Sequence, residues 1–156
     1  LLTEQRPGGG WNCEDYERTD CPMDNLNVLL LLSHYPKYLA DSRLNPALEQ
    51  LLEHWAQRER GSRPAGFGIG QRYRSLEYPA IKYGILRVLD VLSRFPAAVS
   101  RPAYADMLHF VRGKGRDGYY HAERPPESYR GFDFAQTELP SRWITFLVRR
   151  IEKRTE

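Results

Sequence analysis

The strongest constraint on this chain is a rhythm of apolar segments opened by proline, in which segments apolar all round alternate with segments apolar on one side. Asp24 to His34 carries Leu26, Val28, Leu29, Leu30, Leu31 and Leu32, too many for one face, which is the pattern of a helix buried on every side. Pro22 suits its first turn and Pro36 closes it. The next segment differs. Asn45 can cap a helix with Pro46 at its first position, and Leu48, Leu51, Leu52 and Trp55 then fall on one stripe before Gly61. From Pro79 to about Phe95, Ile81, Ile85, Leu86, Val88, Leu89, Val91 and Leu92 again cover most of the circumference, so a second buried helix is predicted. Ser100 can cap a one-sided helix carrying Tyr104, Met107, Leu108 and Val111, stopped by Gly113. A fifth starts at Pro140-Ser141, carries Trp143, Ile144, Phe146, Leu147, Val148 and Ile151, and ends in basic residues that suit a helix C-terminus. Only Tyr73 to Leu76 reads as a short extended piece, so the class is all-α. The alternation predicts antiparallel hairpins that place helices by turns in an inner and an outer layer.

At 156 residues with a hydrophobic share of 41%, one domain over 1–156 is expected. The net charge of +3 is small and scattered, which argues against a nucleic-acid or membrane surface. The longest apolar run, Val28 to Leu32, is far short of the ~20 residues that span a bilayer. No basic-then-apolar leader is visible, and a cytoplasmic location is the expectation. Leu1 to Gln5 resembles the last turn of a helix, as if the chain were the C-terminal part of a longer one. The long loops Gly61 to Tyr78 and Gly113 to Leu139 have the length of functional loops, or of loops packed back over an opening.

Two stretches look like copies of one unit. Leu1 to Gln5 ends a helix, Gly8-Gly9-Gly10-Trp11 turns, and Pro22 starts an apolar helix. Leu108 to Arg112 does the same before Asp117-Gly118-Tyr119-Tyr120 and Pro140. Trp11 then corresponds to Tyr120.

The first copy, Gln5-x-x-x-Gly9-x-Trp11, resembles the Gln-x-x-x-Gly-x-Trp repeat of squalene and oxidosqualene cyclases, related to repeats in protein prenyltransferase β-subunits. The second resembles a degenerate version without the glutamine. Together with Phe67-Gly68-Ile69-Gly70, Lys82-Tyr83, Gly131-Phe132-Asp133-Phe134 and Pro140-Ser141-Arg142-Trp143, the chain is similar to an uncharacterised prenyltransferase-like or squalene-cyclase-like group. The resemblance implies an α/α toroid, here a partial ring, around a central cavity. It does not bring the chemistry of its relatives. The Asp-x-Asp-Asp acid of the cyclases is missing, and Trp11 stands where the zinc-binding aspartate of an Asp-x-Cys13 pair would be.

Cys13 and Cys21, eight apart, leave a disulfide, two free thiols or half a metal site open. With His34 and His121 they are a weak zinc set whose spacing fits no compact finger, and no metal or cofactor is expected. Gly66 to Gly70 lacks the strand and helix that a phosphate loop needs, so it reads as a shaped loop beside Arg72 and Arg74. Residues near the starts of the inner helices form the stronger set: Asp24, Tyr78, Lys82, Tyr83, Asp133, Arg142 and Trp143. They suit a cavity wall, although Asp133 with Arg142 serves equally well as a structural bridge. Two functions follow as expectations. One is a scaffold that binds a hydrophobic small molecule or a partner protein; the other is an isoprenoid-type enzyme acting on a hydrophobic substrate. Exposed inner faces at Leu29–Leu32 and Val88–Leu92 are expected to need further helices or a second copy to cover them.

Overall fold

A computed structural model describes residues 1–11, 20–135 and 137–156. Among these, regular structure is helical and no strand forms. The α-helices are α1 (Pro22–Leu32), α2 (Asn45–Ala56), α3 (Gln71–Arg74), α4 (Ile85–Leu92), α5 (Pro96–Val99), α6 (Pro102–Arg112) and α7 (Arg142–Thr155).

Local signals place some of their ends. Pro22 occupies the first turn of α1, and Ser33 ends it by donating its N–H to the Leu29 and Leu31 carbonyls. Ser141 caps α7, its Oγ accepting from Ile144 N–H at 3.2 Å. Elsewhere the predicted starts move. Asn45 does not cap α2: it is already helical, and a 3₁₀ turn, Ser42–Leu44, runs into the helix behind Asp41, whose Oδ1 accepts from Arg43 N–H at 3.0 Å. Ser100 does not cap α6 either. Its Oγ donates to the Ala97 carbonyl at 3.1 Å, closing α5, and Pro102 opens the next helix.

The largest shift is at α4, which begins after Gly84 and not at Pro79. The side chains on either side decide this: Tyr78 is stacked on Trp143, while Tyr83 is inserted among Phe67, Tyr73 and His54. Holding both rings keeps the intervening backbone out of the helix and leaves Ile81 exposed, against expectation. Tyr73-Arg74, expected to be extended, lies instead in the single helical turn α3.

The helix alternation becomes two layers. α1 packs on α4 and α4 on α7; behind them α2 packs on α6, with α1 against α2 and α4 against α6. The core runs between the layers and includes Leu26, Leu29, Leu51, Trp55, Leu89, Met107 and Ile144, all fully buried; each such side chain contributes about 1.5–3 kcal/mol. The predicted need for outside cover is largely removed. Leu29, Leu32 and Val88 to Leu92, apart from Asp90, are buried by the chain's own helices, and only Leu31 in those runs is exposed. α1 is therefore not buried all round, since Asn27 also faces solvent.

On α4, Asp90 fastens the first layer. Its Oδ1 accepts from Arg150 at 2.8 Å and from Arg154 at 2.9 Å, both on α7, while Arg94 lies 3.4 Å from Oδ2.

The two predicted copies of the turn share one hydrogen-bond pattern. Trp11 N–H donates to Asn25 Oδ1 at 2.7 Å and its carbonyl accepts from Cys21 N–H at 2.9 Å. Tyr120 N–H donates to Thr145 Oγ1 at 3.1 Å and its carbonyl accepts from Ser141 N–H at 2.8 Å. Gly9 and Gly118, two residues before each aromatic, have φ of +83° and +79°, the left-handed region that glycine enters without strain. Asp117 is also left-handed, at +51°, a conformation that aspartate tolerates better than most residues. Gln5 closes the first turn by donating Nε2 to the Gly9 and Arg43 carbonyls.

Candidate functional site

The residues expected to share one cavity wall divide into two groups. Tyr78 and Trp143 come together, their rings parallel within 10° and 5.3 Å between centroids. This contact joins the segment before α4 to the first turn of α7. The long loop adds three more rings. Phe134 meets Tyr78 edge-on at 5.8 Å, Phe132 stacks on Phe134 at 5.2 Å, and Tyr129 contacts both. The outcome is a continuous aromatic face with Phe132 54% and Trp143 49% exposed. Large exposed rings gathered in one place mark a contact surface more often than scattered ones do.

The segments that carry these rings also carry exposed charges. Asp133 lies between two of its rings in sequence and Arg142 precedes Trp143; both are exposed, as are Lys82, Arg130 and Glu138. The expected Asp133–Arg142 bridge does not form. Neither side chain has a hydrogen bond or ion pair among the described residues, because each points to solvent from a different segment. Glu77, next to Tyr78, is buried. Burial pushes its carboxyl up from the ordinary range, and Lys82, Arg72 and Arg124 pull the other way.

The second group lies apart. Tyr83 is buried and not on a ligand face, its hydroxyl hydrogen-bonded with His54 Nδ1 at 2.7 Å. Burial raises the Tyr83 phenol far above its usual range and lowers His54. A neutral phenol therefore meets a neutral imidazole. Asp24, in the first turn of α1, is half-buried, and its Oδ2 has no partner. Beside it Cys21 is a free, buried thiol whose pKa burial raises, which makes it a poor nucleophile. His54 also borders an open groove of about 570 Å³ between α1 and α2, with Asp20, Asn25, Glu49, Gln50 and Glu53. Asp20 is already engaged there by Arg6 and Gln50, and Asn25 by Gln50.

For a metal the described residues offer no group of three suitable ligands. Cys21 is buried, His34 exposed and His121 half-buried, while Asn12 and Cys13 lie outside the described residues. The Gly66–Gly70 loop is held by the Phe67 contact with Tyr83 and by a backbone with Gly66 at φ +80°. Of its neighbouring cations, Arg74 pairs with Glu59 at 2.9 Å and Arg72 faces solvent.

Tyr129, Phe132, Phe134 and His54 were not predicted as site residues. His54 was indistinguishable from any other polar residue on the α2 stripe. The spacing of Tyr129, Phe132 and Phe134 in a loop with no helical period was the available signal. Among the described residues no helix is long and apolar enough to cross a membrane. Compared with protein-family models, curated proteins and solved structures, the chain matches none.

Proposed function

We propose that this chain is part of an α/α toroid of the terpenoid-cyclase and prenyltransferase type that serves as a binding domain, without the standard catalysis of either relative. Support for the architecture is the pairing of helices in two layers with a repeated turn; in a toroid α1, α4 and α7 would be the inner helices, and α2 and α6 the outer ones. The binding reading rests on one observation, the face formed by Tyr78, Tyr129, Phe132, Phe134 and Trp143. These rings are ordered against one another and remain open to a ligand or partner, which lowers the entropic cost of binding.

An isoprenoid-type enzyme is the second reading, and Glu77 is what favours it. Glu77 is buried beside Tyr78, and burial raises its carboxyl above the ordinary range, which favours the protonated form that a general acid needs. The same shift makes it a weak acid toward an alkene, and so binding is preferred.

Tryptophan emission separates the two, because Trp143 is half-exposed while Trp11 and Trp55 are buried. The protein is incubated with farnesyl diphosphate, with squalene and with a mixture of neutral oligosaccharides and peptides. Binding without turnover, with the emission change lost in Trp143→Phe, is the expected result. Product from farnesyl diphosphate or squalene that disappears in Glu77→Gln overturns it in favour of the enzyme.

A further inference from the structure

We propose that the aromatic face is a binding site for a neutral oligosaccharide, an inference that rests on the binding-domain reading above and names its ligand class. The first support is shape. Phe132 and Trp143 are each about half exposed, at 54% and 49%, while Phe134 and Tyr78 hold them by parallel stacking. A pyranose ring has one face of C–H groups that packs on such a surface without needing an enclosed pocket. An isoprenoid chain on the same open face would keep half of its surface in water and gain correspondingly little.

The second support is the set of exposed polar groups on the segments that carry the rings. Asp133, Arg142, Lys82 and Glu138 are exposed and have no hydrogen-bond or ion-pair partner among the described residues. Carboxylate and guanidinium groups are planar and two-pronged, so each can engage neighbouring hydroxyls of one sugar. A purely apolar ligand would leave them unused.

The third is charge. On the segments that carry the rings, exposed Lys82, Arg130 and Arg142 are matched in number by exposed Glu127, Asp133 and Glu138. Stacking rings would suit single-stranded nucleic acid, but the three carboxylates on these segments oppose its phosphates. An uncharged ligand rich in hydroxyls answers both the rings and the mixed charges.

The test is calorimetric titration of the whole protein with cellohexaose, maltohexaose and chitohexaose, with farnesyl diphosphate run in parallel. At least one hexasaccharide binds, with Kd at or below about 1 mM, and changes the Trp143 emission. Trp143→Ala and Phe132→Ala each weaken binding by about tenfold, Asp133→Asn weakens it severalfold, and the affinity is insensitive to salt. Far-ultraviolet circular dichroism confirms that the variants are folded, which these exposed positions allow. Failure of all three sugars, or binding that survives in a Trp143→Ala/Phe132→Ala double variant, overturns the proposal. If farnesyl diphosphate or a peptide then binds at Trp143, the binding-domain reading stands without the sugar; if nothing binds there, both fall.

Discussion

Trp11 stands to α1 as Tyr120 stands to α7: each donates its N–H to the side chain four residues beyond the N-cap of the helix that follows, Asn25 in one case and Thr145 in the other. The two acceptors differ in surroundings. Asn25 is fully buried and also donates to Gln50, whereas Thr145 is half-buried. Asn25→Leu keeps the volume but leaves Trp11 N–H and the Gln50 carbonyl without that partner, and should cost about 3 kcal/mol. Thr145→Val should cost about 1 kcal/mol, because water reaches its site. Urea unfolding at constant m-value measures both, and equal costs would contradict this account of the turn.

The glycines of the two turns are predicted to differ more. A Cβ at Gly9 would lie 2.3 Å from Pro46 Cβ, on the rigid ring in the first turn of α2, in addition to the left-handed backbone. At Gly118 it would meet only the end of Arg149, at 3.1 Å, and at Gly61, also left-handed, nothing within 4 Å. Gly61→Ala and Gly118→Ala should each cost about 1–2 kcal/mol from backbone strain alone. Gly9→Ala should cost clearly more than either, because proline cannot move aside without shifting α2. Melting temperatures of the three variants give the order directly.

What was legible in the sequence was mostly local. Pro22 and Ser141 acted where they stand, because capping and a first-turn proline depend on a few neighbouring backbone groups. The helices themselves were readable for a similar reason, since an apolar face is written in a 3.6-residue period, although α1 proved not to be buried all round. The start of α4 was not, because it depends on Tyr78 meeting Trp143, 65 residues later, and Tyr83 meeting His54, 29 residues earlier. Contacts at that range leave no periodic trace. In the site, Tyr78 and Trp143 were grouped as residues near helix starts; the structure stacks them, although Tyr78 lies outside α4. The rings at 129–134 and the grip of α7 on Asp90 did not follow. Arg150 and Arg154 read simply as charges suited to a helix C-terminus.

That grip is itself testable. Asp90 is largely shielded and receives Arg150 and Arg154 from α7 and Arg94 from the turn just after its own helix. Removing the carboxylate leaves three partly shielded guanidinium groups close together, so Asp90→Ala should destabilise by about 3 kcal/mol. Arg150→Met should cost under about 1 kcal/mol, because two arginines remain on the carboxylate and the stem stays packed. A double-mutant cycle between the two positions should show coupling that weakens in high salt. Additive costs would mean that the network does not bind α7 to α4.

The buried pair of His54 and Tyr83 gives a pH dependence with a definite sign. Burial holds the His54 imidazole below its ordinary value of 6.5, against a smaller opposing effect of the Ser62 and Phe67 carbonyls, which lie near without hydrogen-bond geometry. A depressed histidine pKa means that the unfolded chain takes up the proton first as pH falls. Stability is therefore complete above pH 6.5 and declines as pH drops from there through the lower folded value, then changes no further on this residue's account. His54→Asn keeps an acceptor for the Tyr83 hydroxyl and removes the titration. It should cost about 1–2 kcal/mol at pH 8 and lose less stability than the parent between pH 6.5 and pH 5. Urea midpoints across that interval decide the matter: parallel pH profiles for parent and variant would show that the imidazole is not the group that acid destabilises.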